Sequence, residues 1–122
     1  MLPPSGPQVP DKDRNKLSVA LPVLGERLCA EVLSRKNKSA GLDELRARIT
    51  SYTGGDPVKP GKLFTGVGQL LVLLLRDPVW ATFQAGAGMV LELYSQVVQQ
   101  HSVSSKTLGE VTIKLFGAIL SR

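Results

Sequence analysis

The chain has little with which to cross-link itself or to carry out a reaction. Cys29 is its only cysteine, so no disulfide can form within it, and a reducing compartment is the natural reading. No histidine lies near Cys29 in sequence, so the residue reads as a buried, inert thiol on a helix face and not as a nucleophile. His101, the one histidine, sits in a Gln- and Ser-rich helix end with no carboxylate beside it and is expected at the surface. The carboxylate pairs do not suggest acid/base chemistry either. Asp11 and Asp13 fall in a charged leader, and Asp43 and Glu44 in a first helical turn, where the helix dipole favours negative charge. The glycine pairs at 66 and 68 and at 86 and 88 lack the fingerprint spacing of a phosphate cradle. No metal-ligand spacing occurs. These absences argue against an enzyme: no catalytic residue, metal or cofactor is expected.

Long runs of one character are missing too. The net charge is +5 with a pI near 9.7, yet no five or six basic residues stand together. The densest stretch is Arg35-Lys36-Asn37-Lys38. Such a balance either aids solubility or draws the chain towards nucleic acid, an anionic membrane or an acidic protein surface. The apolar run from 70 to 75 ends at Arg76-Asp77, far short of the roughly 20 residues a membrane span needs, so it reads as a buried helix. The N-terminus lacks the basic start and apolar stretch of a signal peptide. A soluble chain with no membrane partner is expected. Aromatic residues are only 5% of the chain. The Leu-, Val- and Ala-rich remainder favours helix packed on helix over an aromatic-rich β-sandwich.

What is present is helical periodicity. Residues 1–16 are rich in proline and charge and read as a disordered leader; 17–122 reads as one domain or a piece of one. Leu21, Leu24, Leu28 and Val32 make the first apolar stripe, with Pro22 suited to a first turn. A polar stretch, 34–38, interrupts it. Leu42, Leu45, Ile49 and Tyr52 define a second helix with Ser39 as its cap and Arg46 and Arg48 outward. Glycine and proline between 53 and 61 end that helix. A third helix, 62–75, is apolar nearly all round and implies contact on several sides. Asp77-Pro78 breaks it, with Asp77 expected to cap a fourth helix over 78–100. That helix places Val79, Phe83, Ala87, Val90, Tyr94 and Val97 on one face. Gly86 and Gly88 inside it imply close approach of a neighbour, since each lowers helix propensity by roughly 1 kcal/mol. Leu108, Val111, Leu115 and Ile119 define a fifth helix with no partner after it, which predicts that the chain stops in mid-repeat. The expected class is all-α: an α-solenoid of antiparallel helix pairs, about five helices.

Some segments resemble a known module. Leu21-Pro22-Val23-Leu24-Gly25-Glu26, Leu33-Ser34-Arg35, Phe83-Gln84-Ala85 and the closing Lys114-Leu115-Phe116-Gly117-Ala118-Ile119-Leu120-Ser121-Arg122 are similar to TOG domains, the HEAT-repeat modules that bind tubulin. The likeness is greatest to those of ciliary, flagellar and centrosomal proteins, and it covers roughly residues 20–122, about two and a half repeats. It implies a non-catalytic binder of the α/β-tubulin dimer or microtubule end, located in the cytoskeleton at a cilium or flagellum tip or at a centrosome. Other ciliary or centrosomal proteins are further implied partners. In TOG domains the turns inside each helix pair form the contact edge. Here that edge corresponds to Arg35, Lys36, Asn37 and Lys38 in one turn and Arg76, Asp77, Val79 and Trp80 in the next. Many tubulin-binding members carry a tryptophan in the first turn, where this chain has Asn37 or a neighbour, so binding by this piece alone is expected to be weak.

Each of these residues has a plainer reading: the basic turn as a solvated loop, and the Trp80 ring packed inward on the third helix. Two other functions compete. A helical-repeat scaffold that ignores tubulin accounts for the missing tryptophan. Nucleic-acid binding ranks last, because aromatics and basic residues do not interleave on any one helix.

Overall fold

Apolar residues at three- and four-residue spacing make helices along most of the chain, and glycine, proline and serine set the breaks. In the computed structural model, which describes residues 8–54 and 58–121, the order is α1 (Asp11–Arg14), a 3-10 turn (Asn15–Leu17), α2 (Ala20–Leu24), α3 (Glu26–Leu33), α4 (Lys38–Thr50), α5 (Pro60–Leu75), α6 (Trp80–Leu93), a π-helical turn (Tyr94–Val98) and α7 (Ser105–Leu120). No strand occurs among the described residues. The expected all-α class is observed.

α5 lies at the centre, packed on α2, α6 and α7. Two helix pairs, α3 with α4 and α5 with α6, stack through contacts of α2 on α5 and of α4 on α6, and α7 continues the row against α5. That is the plan of a solenoid in which each pair buries its apolar faces on the next. The near-uniform apolarity of α5 is explained by its position: Leu63, Phe64, Val67, Leu70, Leu71, Leu74 and Leu75 are all buried.

Gly25 splits the expected first helix in two. Its φ of 92° with ψ of 153° lies in a region open essentially to glycine alone. Its N–H closes α2 on the Leu21 carbonyl at 2.9 Å, and its own carbonyl accepts from Cys29 N–H at 3.2 Å to open α3. Gly41 serves packing instead. A Cβ there would lie 2.7 Å from Val32 N and 2.9 Å from the Glu31 carbonyl carbon, so α3 and α4 meet backbone to backbone. The approach expected at Gly86 is also found, with Leu74 3.1 Å from an added Cβ, but at Gly88 the nearest group is the Arg46 guanidinium at 3.8 Å.

Four local expectations are corrected. The leader does not extend to residue 16: residues 1–7 lie outside the described residues, but α1 and the 3-10 turn follow, with Val9 and Leu17 buried. The cause is a clamp that composition hides. The Glu26 carboxylate accepts the Val9 N–H at 2.6 Å and both terminal nitrogens of Arg14, at 2.8 and 2.7 Å. Ser39 is not a cap; α4 begins at Lys38, with Asn37 in the cap position. Asp77 and Pro78 precede α6 instead of opening it, because the Asp77 carboxylate accepts the Val79 N–H at 2.8 Å and holds a turn there. Finally, α6 buries Thr82, Gly86, Met89, Val90 and Leu93. Of the expected face only Val90 and Val97 are buried, while Val79 is exposed. The close approach at Gly86 sets this phase, since residues facing α5 must lie one turn above and below it.

The clamp gives a prediction. Arg14 first, then the Val9 amide, hold the Glu26 carboxyl below the usual glutamate range. A depressed folded-state value means the clamp's contribution is complete above the unfolded glutamate value and is lost as pH falls through the folded one. The Val9 amide resonance in an NMR titration is therefore expected to move with a midpoint below that of an ordinary glutamate. In Glu26→Gln that acid transition disappears. A midpoint in the ordinary range would break the assignment.

Elsewhere small contacts settle single residues. Ser104 caps α7, its hydroxyl accepting the Thr107 N–H at 3.2 Å. His101, expected at the surface, is half-buried edge-on to Tyr52 with ring centres 5.1 Å apart. Cys29 is fully buried, and desolvation above all pushes its thiol up to about 11, in keeping with an inert thiol.

Candidate binding edge

The first intra-pair turn forms because Ser34 leaves the helical region, with φ of −78° and ψ of 139°. Its hydroxyl accepts the backbone N–H of Lys36 at 3.1 Å and of Asn37 at 3.4 Å, tightening the loop before α4 starts. Arg35, Lys36 and Asn37 stand exposed on this loop. Lys38 turns back. Its ammonium donates to the Val32 carbonyl at 3.1 Å, satisfying an end group of α3.

The second turn forms where α5 ends at Leu75. Arg76 takes the last helical bond, from its N–H to the Val72 carbonyl at 3.2 Å, and Asp77 N–H reaches the Leu74 carbonyl at 3.2 Å. The Asp77–Val79 turn then directs the chain into α6. Arg76, Val79 and Trp80 are exposed, Trp80 at 59%. The Trp80 ring stacks on Phe83 with centroids 5.1 Å apart and planes 28° from parallel. α6 begins at Trp80, so this stacking lays the ring over the first turn of its own helix.

One contact decides how the turns are related. Lys38 Nζ lies 4.0 Å from Asp77 Oδ2, so the two loops emerge side by side on one edge. Lys38 and Asp77 are half-buried in making this link. Of the eight residues singled out from sequence, the other six present exposed groups. Arg35, Lys36 and Arg76 make no ion pair among the described residues, unlike Arg14, Arg27, Arg46 and Arg48, which all do. The edge is thus cationic, with an exposed aromatic ring and a valine at its second turn. Among the described residues no group of three or more His, Cys, Asp or Glu side chains could hold a metal ion, and no helix is long and apolar enough to cross a membrane.

With this geometry the chain superposes on solved structures. The structure of the TOG domain of human Cep104 matches with a TM-score of 0.77 and 22% identity, covering 98% of this chain and 47% of that one. A second, a CEP104 TOG domain, matches with a TM-score of 0.76 and 20% identity, covering 97% and 47%. The fold is that of a partial TOG domain. The chain spans about half the length of the TOG structures it matches. No family model and no curated protein matches it. At this identity the likeness speaks for the TOG fold alone, a HEAT-like helical solenoid.

Sequence reasoning missed a further cationic surface, which meets the edge at Arg76. A groove of about 510 Å³ between the 3-10 turn, α5 and α7 is lined by Lys16, Arg76 and Lys114 among others. By composition Lys16 belongs to the leader, and no periodicity brings the three together.

Proposed function

We propose that this chain is a non-catalytic, tubulin-binding piece of a TOG domain, acting in the cytoskeleton at a ciliary or flagellar tip or a centrosome. The observation that carries this reading is the Lys38–Asp77 contact, which aligns the basic first turn with Val79 and Trp80 of the second. The TOG fold of its structural neighbours supports it. In this reading Arg35, Lys36 and Arg76 meet an acidic surface and set orientation and on-rate, and Trp80 with Val79 supplies the buried contact. Asn37 fills the first turn without an aromatic anchor, so the affinity of the piece alone is low.

The test is titration of tubulin against the labelled chain by fluorescence anisotropy at low salt. Arg35→Glu with Lys36→Glu is expected to weaken binding by roughly a hundredfold, about tenfold for each charge, and raising the salt should weaken the wild type in the same direction. Equal binding by wild type and variant would remove the edge. Failure of the wild type to bind tubulin at all would favour the scaffold reading instead.

A further inference from the structure

We infer that the groove between the 3-10 turn, α5 and α7, which meets the turn edge at Arg76, is a second binding site that takes an acidic peptide segment carrying an apolar side chain.

Gln69 builds one wall of the groove. Its side-chain oxygen accepts the N–H groups of Val19 at 2.9 Å and Ala20 at 3.0 Å, and its nitrogen donates to Ser18 Oγ at 3.3 Å. These bonds tie the start of α2 to α5 and so hold the 3-10 turn, with Lys16, across from α7. Lys16, Arg76 and Lys114 then stand around one groove of about 510 Å³ that no carboxylate lines. None of the three makes an ion pair among the described residues. Cations gathered in a concave site with low-dielectric walls focus a positive potential, and an anionic guest relieves their mutual repulsion.

The remaining lining selects the kind of anion. Leu73 and Ile113 line the same groove, and Ile113 is 74% exposed. A free phosphate would leave that apolar surface wet. RNA fits poorly, since no aromatic side chain lines the groove to stack a base. Glutamate or aspartate side chains flanking an apolar one match both features.

The probe is a short fluorescein-labelled peptide rich in glutamate with one central leucine, titrated with the full chain. Binding is expected to fall roughly tenfold in each of Lys16→Glu and Lys114→Glu. Lys62→Glu, at the other end of α5, carries the same change in net charge and should bind as wild type does. All three positions are exposed, and matching thermal melts would show that the variants fold. Replacing the peptide's glutamates by glutamine should abolish binding, and replacing its leucine by serine should weaken it. Equal binding by wild type and both groove variants would overturn the inference, as would effective competition by inorganic phosphate or by single-stranded RNA. The two sites share Arg76 and are told apart by the residues they do not share: Arg35→Glu with Lys36→Glu should impair tubulin binding and leave the peptide bound.

Discussion

Replacing Phe64 by alanine is expected to lower the unfolding free energy by about 3–5 kcal/mol. The ring is fully buried in the first half of α5. It stands edge-on to Tyr94, with centroids 5.3 Å apart and planes at 90°, a geometry worth about 0.5–1.5 kcal/mol beyond burial alone. Tyr94 in turn shares a hydrogen bond with Thr112, so the ring supports the place where α5, the π-helical turn and α7 meet. A domain whose whole stability is about 5–15 kcal/mol would keep only part of it after such a loss. Urea unfolding followed by circular dichroism measures the difference. Phe116→Ala is the matched control: its ring is 54% exposed on α7, and its loss should stay within roughly 0.5 kcal/mol. Equal losses at the two positions would show that α5 does not hold the core.

The same contrast explains what was legible beforehand. Leu45 with Ile49 on α4, and Val111 with Leu115 on α7, announce their buried faces because each is a large apolar residue at helical spacing. On α6 the first half of the buried face is Thr82 and Gly86, which add no apolar signal, so large side chains alone do not give its phase. The clamp of Glu26 on Val9 and Arg14 was invisible for a different reason: it joins groups far apart in sequence, and proline and charge around them read as disorder. At the edge, the exposure of Arg35, Lys36 and Asn37 follows from a polar break between two apolar stripes. That the second turn lies beside it does not, because nothing in the local sequence pairs Lys38 with Asp77. The residues that could be named from sequence were those whose setting is local. Partnerships across the stack required coordinates.

Trp80→Ala is the expected binding counterpart of Phe64→Ala, with a large effect on tubulin affinity and a small one on folding. Trp80 is the only tryptophan in the chain and is 59% exposed at the start of α6. Its position above Phe83 limits the freedom of the indole, so little further ordering is needed when a partner covers it. Removing an aromatic anchor of this kind typically costs at least about 2 kcal/mol, or roughly thirtyfold in Kd. Kinetics distinguish its role from that of the basic loop. Charge reversal at Arg35 and Lys36 should act chiefly on the association rate and should flatten the salt dependence. Trp80→Ala should leave the association rate and its salt dependence nearly unchanged and should quicken dissociation. Surface-immobilised chain with tubulin in flow gives both rates. Should Trp80→Ala dissociate as slowly as wild type while the charge reversals still weaken capture, the contact is electrostatic only, and the indole serves to pack the first turn of α6 against Phe83.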